Sequence, residues 1–279
     1  MTDAICSVSL ATEPNPAAMV RSLLIRGMLV GFVAGLLVFG FAKIFGEPLV
    51  DRAIVFEAAI DEAKTKAHAS MGMPVEAPEP ELVSRQIQST FGLFVGVTVY
   101  CTAFGGLFAL VFAFASGRAG NIKPRELSAL LAAAGFVAIY LVPSLKYPAS
   151  PPSVGDPDTI GHRTALYFVM MAISIAAMGG AIALRQRLTQ HVDRWSAALI
   201  SAATYALIVA MTQFILPSTN EVPEHFPAET LWQFRVTNLG MQFIMWIAIG
   251  LIFGLVSERA LRGTRYIAVT DFGEKLGLR

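Results

Sequence analysis

Three polar stretches of this chain crowd carboxylates and imidazoles between long apolar runs. The first carries Glu47, Asp51, Glu57, Asp61 and His68; the second, residues 146–164, carries Asp156, Asp158 and His162; the third, residues 220–235, carries Glu221, Glu224, His225 and Glu229. A divalent first-row cation such as Co2+, Ni2+ or Zn2+ accepts this mixture of carboxylate oxygen and imidazole nitrogen. The candidate metal-collecting set is therefore Glu47, Asp51, Glu57, Asp156, Asp158, His162, Glu221, Glu224 and His225. Each member also has an ordinary reading. Loop carboxylates are common surface, Asp158 can cap the helix that follows it, and Glu224 and Glu229 fit the first turns of short helices behind Pro223 and Pro227. Glu47-Pro48 reads in the same way, as a new helix start just after Gly46. No H-E-x-x-H, C-x-x-C or His-x-His spacing defines a chelate, so the metal reading rests on collective placement. Arg163 and Arg235, each just outside an apolar run, can pair with these acids and hold an outer cap shut, or can anchor lipid phosphates. Lys146 flanks the second stretch from its other side. Prolines 148, 151, 152 and 157 make that stretch stiff.

The elements that must position these residues follow from hydropathy. The chain has 279 residues, 55% of them apolar with glycine left out, and a mean hydropathy of +0.60. Soluble chains reach only about 45–50% with glycine included, so the composition points to a bilayer. Six apolar runs lie at about residues 23–45, 91–115, 127–142, 165–184, 196–216 and 239–256. A span needs about 20 such residues, which leaves the third run the shortest. The first is too long for a signal-peptide core and no cleavage site follows it. Charge settles the count. With six spans, thirteen of the 21 basic residues fall on the side of the termini with seven acids, and thirteen acids fall on the other side with eight bases. The positive-inside rule then places both termini in the cytoplasm.

The expected fold is an all-α integral membrane protein: a bundle of about six transmembrane helices, both termini cytoplasmic, with one amphipathic helix in the first outer loop. That helix covers about residues 48–69, with Leu49, Ala53, Phe56, Ile60 and Ala63 on its apolar face. A PVEAPEPE segment, 74–81, ends it. Residues 1–18 are expected to be a disordered tail, with Met19 a candidate start of translation. Residues 19–257 form the membrane domain, and 258–279 a short cytoplasmic tail.

Several functions are excluded. The spans contain no Asp, Glu, His, Lys or Arg beyond Arg26 and Lys43 near the ends of the first, where a proton-driven carrier would place a carboxylate or histidine. There is no P-loop and no serine–histidine or lipid-phosphatase arrangement, so neither ATP binding nor enzymatic activity is expected. Gly27, Gly31 and Gly35, and Gly250 with Gly254, repeat at four-residue intervals, which suits close helix packing. Two readings remain: a metal-transport subunit, or a non-transporting scaffold that holds a small partner through those glycine faces.

The segments FGEPLVDRAIVFEAA (45–59), KYPASPPSVGDPDTIGHRTALYF (146–168) and NEVPEHFPAETLWQFR (220–235), with a last apolar run ending GLIFGL, resemble the CbtA family of probable cobalt transporter subunits. The resemblance runs from Met19 to about Ser257. It implies a bacterial inner-membrane protein that transports Co2+ for cobalamin synthesis, with no tightly bound cofactor. Its expected companion is a small single-span protein with a histidine-rich end, CbtB. Glu47, Glu57, Lys146, Asp156, Arg163, Glu221 and Arg235 lie in the segments that carry the resemblance. It does not extend to a requirement for histidine at 162 and 225, which shifts the expected ligands toward carboxylates, carbonyls or the imidazoles of the partner.

Overall fold

The computed structural model describes residues 16–72, 83–118, 120 and 122–275, with the helical residues 16–18 and 260–275 described in backbone alone. The tail up to residue 15, the PVEAPEPE segment and residues 276–279 lie outside the described residues. The described residues are mostly helical, with no strand among them. Its elements are α1 (Pro16–Phe41), α2 (Glu47–Ser70), α3 (Arg85–Ile87), α4 (Leu93–Ser116), α5 (Pro124–Gly135), α6 (Val142–Lys146), α7 (Ile160–Leu188), α8 (Arg194–Ile215) and α9 (Ala228–Lys275). In lipid no water satisfies the backbone, so apolar runs of this length must close their hydrogen bonds within the helix. The elements join into six rods long and apolar enough to cross a membrane: Met19–Ser70, Arg85–Ser116, Pro124–Lys146, Pro157–Leu188, Arg194–Ile215 and Ala228–Arg259. The short third run is among them.

Wide π turns make three of these rods continuous, at Ala42–Gly46, Gln88–Gly92 and Phe136–Leu141. Two of them precede a proline, Pro48 and Pro143. Proline lacks an N–H and its ring crowds the preceding turn, so a widened turn lets the helix continue past it. Glu47-Pro48 therefore does not open a separate helix. Gly46 keeps helical angles (φ −86, ψ −50), and the first span runs into the amphipathic helix without a break. By the same device the third rod reaches Lys146, well past its apolar run. A second local expectation also changes. Asp156, not Asp158, is the cap before the fourth span: its carboxylate accepts from the Asp158 N–H at 2.9 Å, ahead of the 3-10 turn Pro157–Thr159. Asp193 caps α8 in the usual way, accepting from the N–H groups of Trp195 and Ser196, both at 3.0 Å.

Small residues set the helix spacing. Gly27, Gly31 and Gly35 of α1 face Gly105, Cys101 and Thr98 of α4, close enough that a Cβ on Gly35 would stand 2.9 Å from the Thr98 Cα. Gly250 and Gly254 of α9 lie on α5 in the same way, and the Ser128 hydroxyl donates to the Gly250 carbonyl at 2.7 Å. Both glycine stripes are thus used for packing inside the chain. Phe112 and Phe253, both wholly buried, meet edge to face at 5.1 Å between α4 and α9. Where α5 begins, Arg125 forms an ion pair with the buried Glu258 of α9 and ties the third rod to the sixth. The helix α8 rides at the edge of the bundle against α7 and exposes Phe214, which suits a lipid-facing side chain.

Candidate functional site

The three polar stretches meet at one end of the bundle and form a cap. Its small core consists of Ala53 from α2, Val154 from the second stretch and Phe226 from the third, with Phe56, Val222 and Leu231 packed around them. The rings of Phe56 and Phe226 stand edge to face at 5.0 Å. The Ser153 hydroxyl donates to the Ala53 carbonyl at 3.1 Å. Two tight bends set these loops down on α2, with Ser153 (φ 66) and His225 (φ 68) in the left-handed region that non-glycine residues avoid. The amphipathic face serves this cap in its first turns. Leu49 and Ala53 are buried, Phe56 and Ile60 half-buried, and Ala63 is exposed.

Several of the predicted site residues build the cap. Glu47 is buried and accepts from the Arg85 guanidinium at 2.5 Å, and the same guanidinium reaches Asp51 at 2.9 Å. Arg85 thus pins α2 to the start of the second rod. Glu221 accepts from the Asp156 N–H at 2.9 Å and the Thr159 hydroxyl at 2.8 Å, and its carboxylate lies 3.2 Å from the Arg163 Nε. The Asp156 N–H, then the Thr159 hydroxyl, and behind them the Arg163 charge hold the Glu221 carboxyl below its usual value. Arg163 also donates through Nη2 to the Asp156 carbonyl at 3.2 Å. Its guanidinium occupies the place where a Cβ on Gly155 would stand, and Gly155 has φ +115. Arg163 thus stands beside a loop acid of the cap. Lys146 donates to the Gln213 carbonyl at 2.7 Å, near the C-terminal end of α8 where the helix dipole favours a cation.

The remaining predicted residues stay apart from this network. Glu57, Asp158 and Glu224 are exposed, and their carboxylates make no hydrogen bond or ion pair among the described residues. His162 and His225 are exposed on the same cap. Among the described residues no three His, Cys, Asp or Glu side chains stand close enough together to hold a metal ion. The carboxylates and imidazoles of the cap are therefore dispersed over its surface rather than gathered into a chelate.

Between the cap loops and the bundle lies a cavity of about 720 Å³. Its walls include Tyr100, Tyr140, Tyr167 and Gln242 from the spans, with Arg163, Glu221 and Arg235 near the cap. The Arg235 Nε is buried without a hydrogen-bond acceptor among the described residues. The Arg163 Nε is close to Glu221 but outside hydrogen-bonding geometry. The sequence signal for this cavity was the scatter of tyrosines and amides in otherwise apolar spans, which spacing alone could not gather into one place. Arg85 and Gly155 carried no signal in spacing, because their partners are distant in the chain or set by a backbone angle.

A family model described as probable cobalt transporter subunit (CbtA) matches residues 20–258. No curated protein and no solved structure matches the chain.

Proposed function

The chain belongs to the CbtA family, and from that premise we propose that it is the membrane subunit of a cobalt uptake system in a bacterial inner membrane. The cap faces outward and both termini face the cytoplasm, in line with the segregation of basic and acidic residues. The observation that carries this reading is the gathering of three acidic stretches into one cap over a six-helix bundle. Within it Glu47, Asp51, Asp156 and Glu221 maintain the cap, while Glu57, Asp158, Glu224, His162 and His225 meet the incoming cation. A second chain completes the transporter, since this one has neither a nucleotide motif nor a carboxylate inside a span. A small histidine-ended single-span protein fits that need by supplying imidazole ligands.

The test is uptake of ⁵⁷Co2+ by cells that express this chain with its partner. Removing Glu57, Asp158 and Glu224 together should slow uptake at low external cobalt while leaving protein levels unchanged. Unchanged uptake by the triple variant would remove the collecting role from these residues.

A further inference from the structure

The cavity beneath the cap has the wrong charge for a bare metal ion. Two guanidiniums, Arg163 and Arg235, stand against a single carboxylate, Glu221. Arg163 is already engaged by Glu221 and by the Asp156 carbonyl. Arg235 has no ion pair or hydrogen bond among the described residues, and its Nε is fully buried. An arginine cannot shed its charge in a protein, and Arg235 is half-buried with its Nε shielded from solvent and unmet by an acceptor among the described residues. Its planar fork of N–H donors matches the oxygens of a phosphate or carboxylate. Other side chains lining the same cavity can donate to an oxyanion: the phenol hydroxyls of Tyr100 and Tyr140 and the amides of Asn238 and Gln242, whereas the Tyr167 hydroxyl donates to the Ile139 carbonyl at 3.4 Å. At about 720 Å³ the space is that of a small-molecule site.

We propose that this cavity is an oxyanion-binding site with Arg235 as its counter-charge, distinct from the carboxylates that collect the cation. The ligand is a phosphate or carboxylate group, carried either by a small soluble anion or by an anionic lipid whose headgroup enters beside the exposed Trp232.

The full chain in nanodiscs of zwitterionic phosphatidylcholine is titrated calorimetrically with inorganic phosphate and with citrate. In parallel, nanodiscs containing phosphatidylglycerol are delipidated and the retained lipid is measured by native mass spectrometry. Arg235→Gln should weaken binding by about tenfold or more, the loss expected when a charge-assisted hydrogen bond is removed, whereas Arg235→Lys, which keeps the charge but loses the fork, should weaken it less. Saturable phosphate or citrate binding identifies a soluble source, and phosphatidylglycerol retained by the native chain but lost in Arg235→Gln identifies a lipid. Because the glutamine variant can fail to fold, modification of Arg235 by phenylglyoxal is also followed in the native chain by peptide mapping. Bound anion should slow that reaction. If none of the three anions slows it, and none binds in a manner that depends on Arg235, the proposal is overturned whether or not cobalt is transported.

Discussion

Glu221 is the residue on which the second and third stretches converge, and its depressed carboxyl pKa links cap stability to pH. A group whose folded value lies below its unfolded value stabilises the fold above the unfolded value, 4.5 here, and loses that contribution as pH falls through the folded one. Glu221→Gln should therefore lower the melting temperature at pH 7 and flatten its dependence on pH below 4.5, as read by thermal melts of the detergent-solubilised protein. Gly155→Ala should act on the same joint by a different route. It places a side chain at φ +115 and displaces the Arg163 guanidinium, at a cost of about 1–3 kcal/mol for the backbone alone, measured as the melting shift against the native chain. Arg163 and Glu221 were recognisable as charged residues of the polar stretches. Gly155 was not, because a glycine in a polar loop reads the same at any φ, and Arg85 was not, because its partners lie 34 and 38 positions away.

The helices were legible because hydropathy and the length of a bilayer span leave few alternatives. What hydropathy could not convey was how they connect and touch. A π turn depends on how one turn accommodates the proline that follows it, and Pro48 and Pro143 look like breakers until the turn ahead of each is seen to widen. The glycine stripes suggested close approach without naming the partner, which proves to be α4 for the first and α5 for the second. Gly105→Val should accordingly force α1 from α4 and cost about 1–3 kcal/mol, read as a lower melting temperature. Gly180→Ala, which meets nothing within 4 Å, serves as the matched control and should be neutral or slightly stabilising. Ser128→Ala removes the hydrogen bond to the Gly250 carbonyl and should cost about 0.6 kcal/mol, the mean for interhelical bonds in a membrane protein.

Across the whole molecule, the three acidic stretches gather in one cap, and the Arg125–Glu258 pair ties the third rod to the sixth. If dispersed carboxylates gather the cation, uptake at subsaturating cobalt should fall as inert salt rises from low to physiological strength, where the screening length is about 8 Å. Initial-rate uptake across a sodium chloride series checks this, and the Glu57, Asp158, Glu224 triple variant should show a weaker salt dependence. The unbroken passage from the first span into α2 has a mechanical consequence. No hinge separates the rod in the bilayer from the arm that holds the other two stretches, so the pair behaves as a lever with its fulcrum in the membrane. The cap meets α2 at Ala53 and Phe56, about 9–14 Å from its start at 1.5 Å per residue, so a tilt of about 10° in the first span would shift these contacts by about 2 Å relative to the base of α2. Pressure from a companion subunit against α1 would thus be felt at the cap without any loop having to refold.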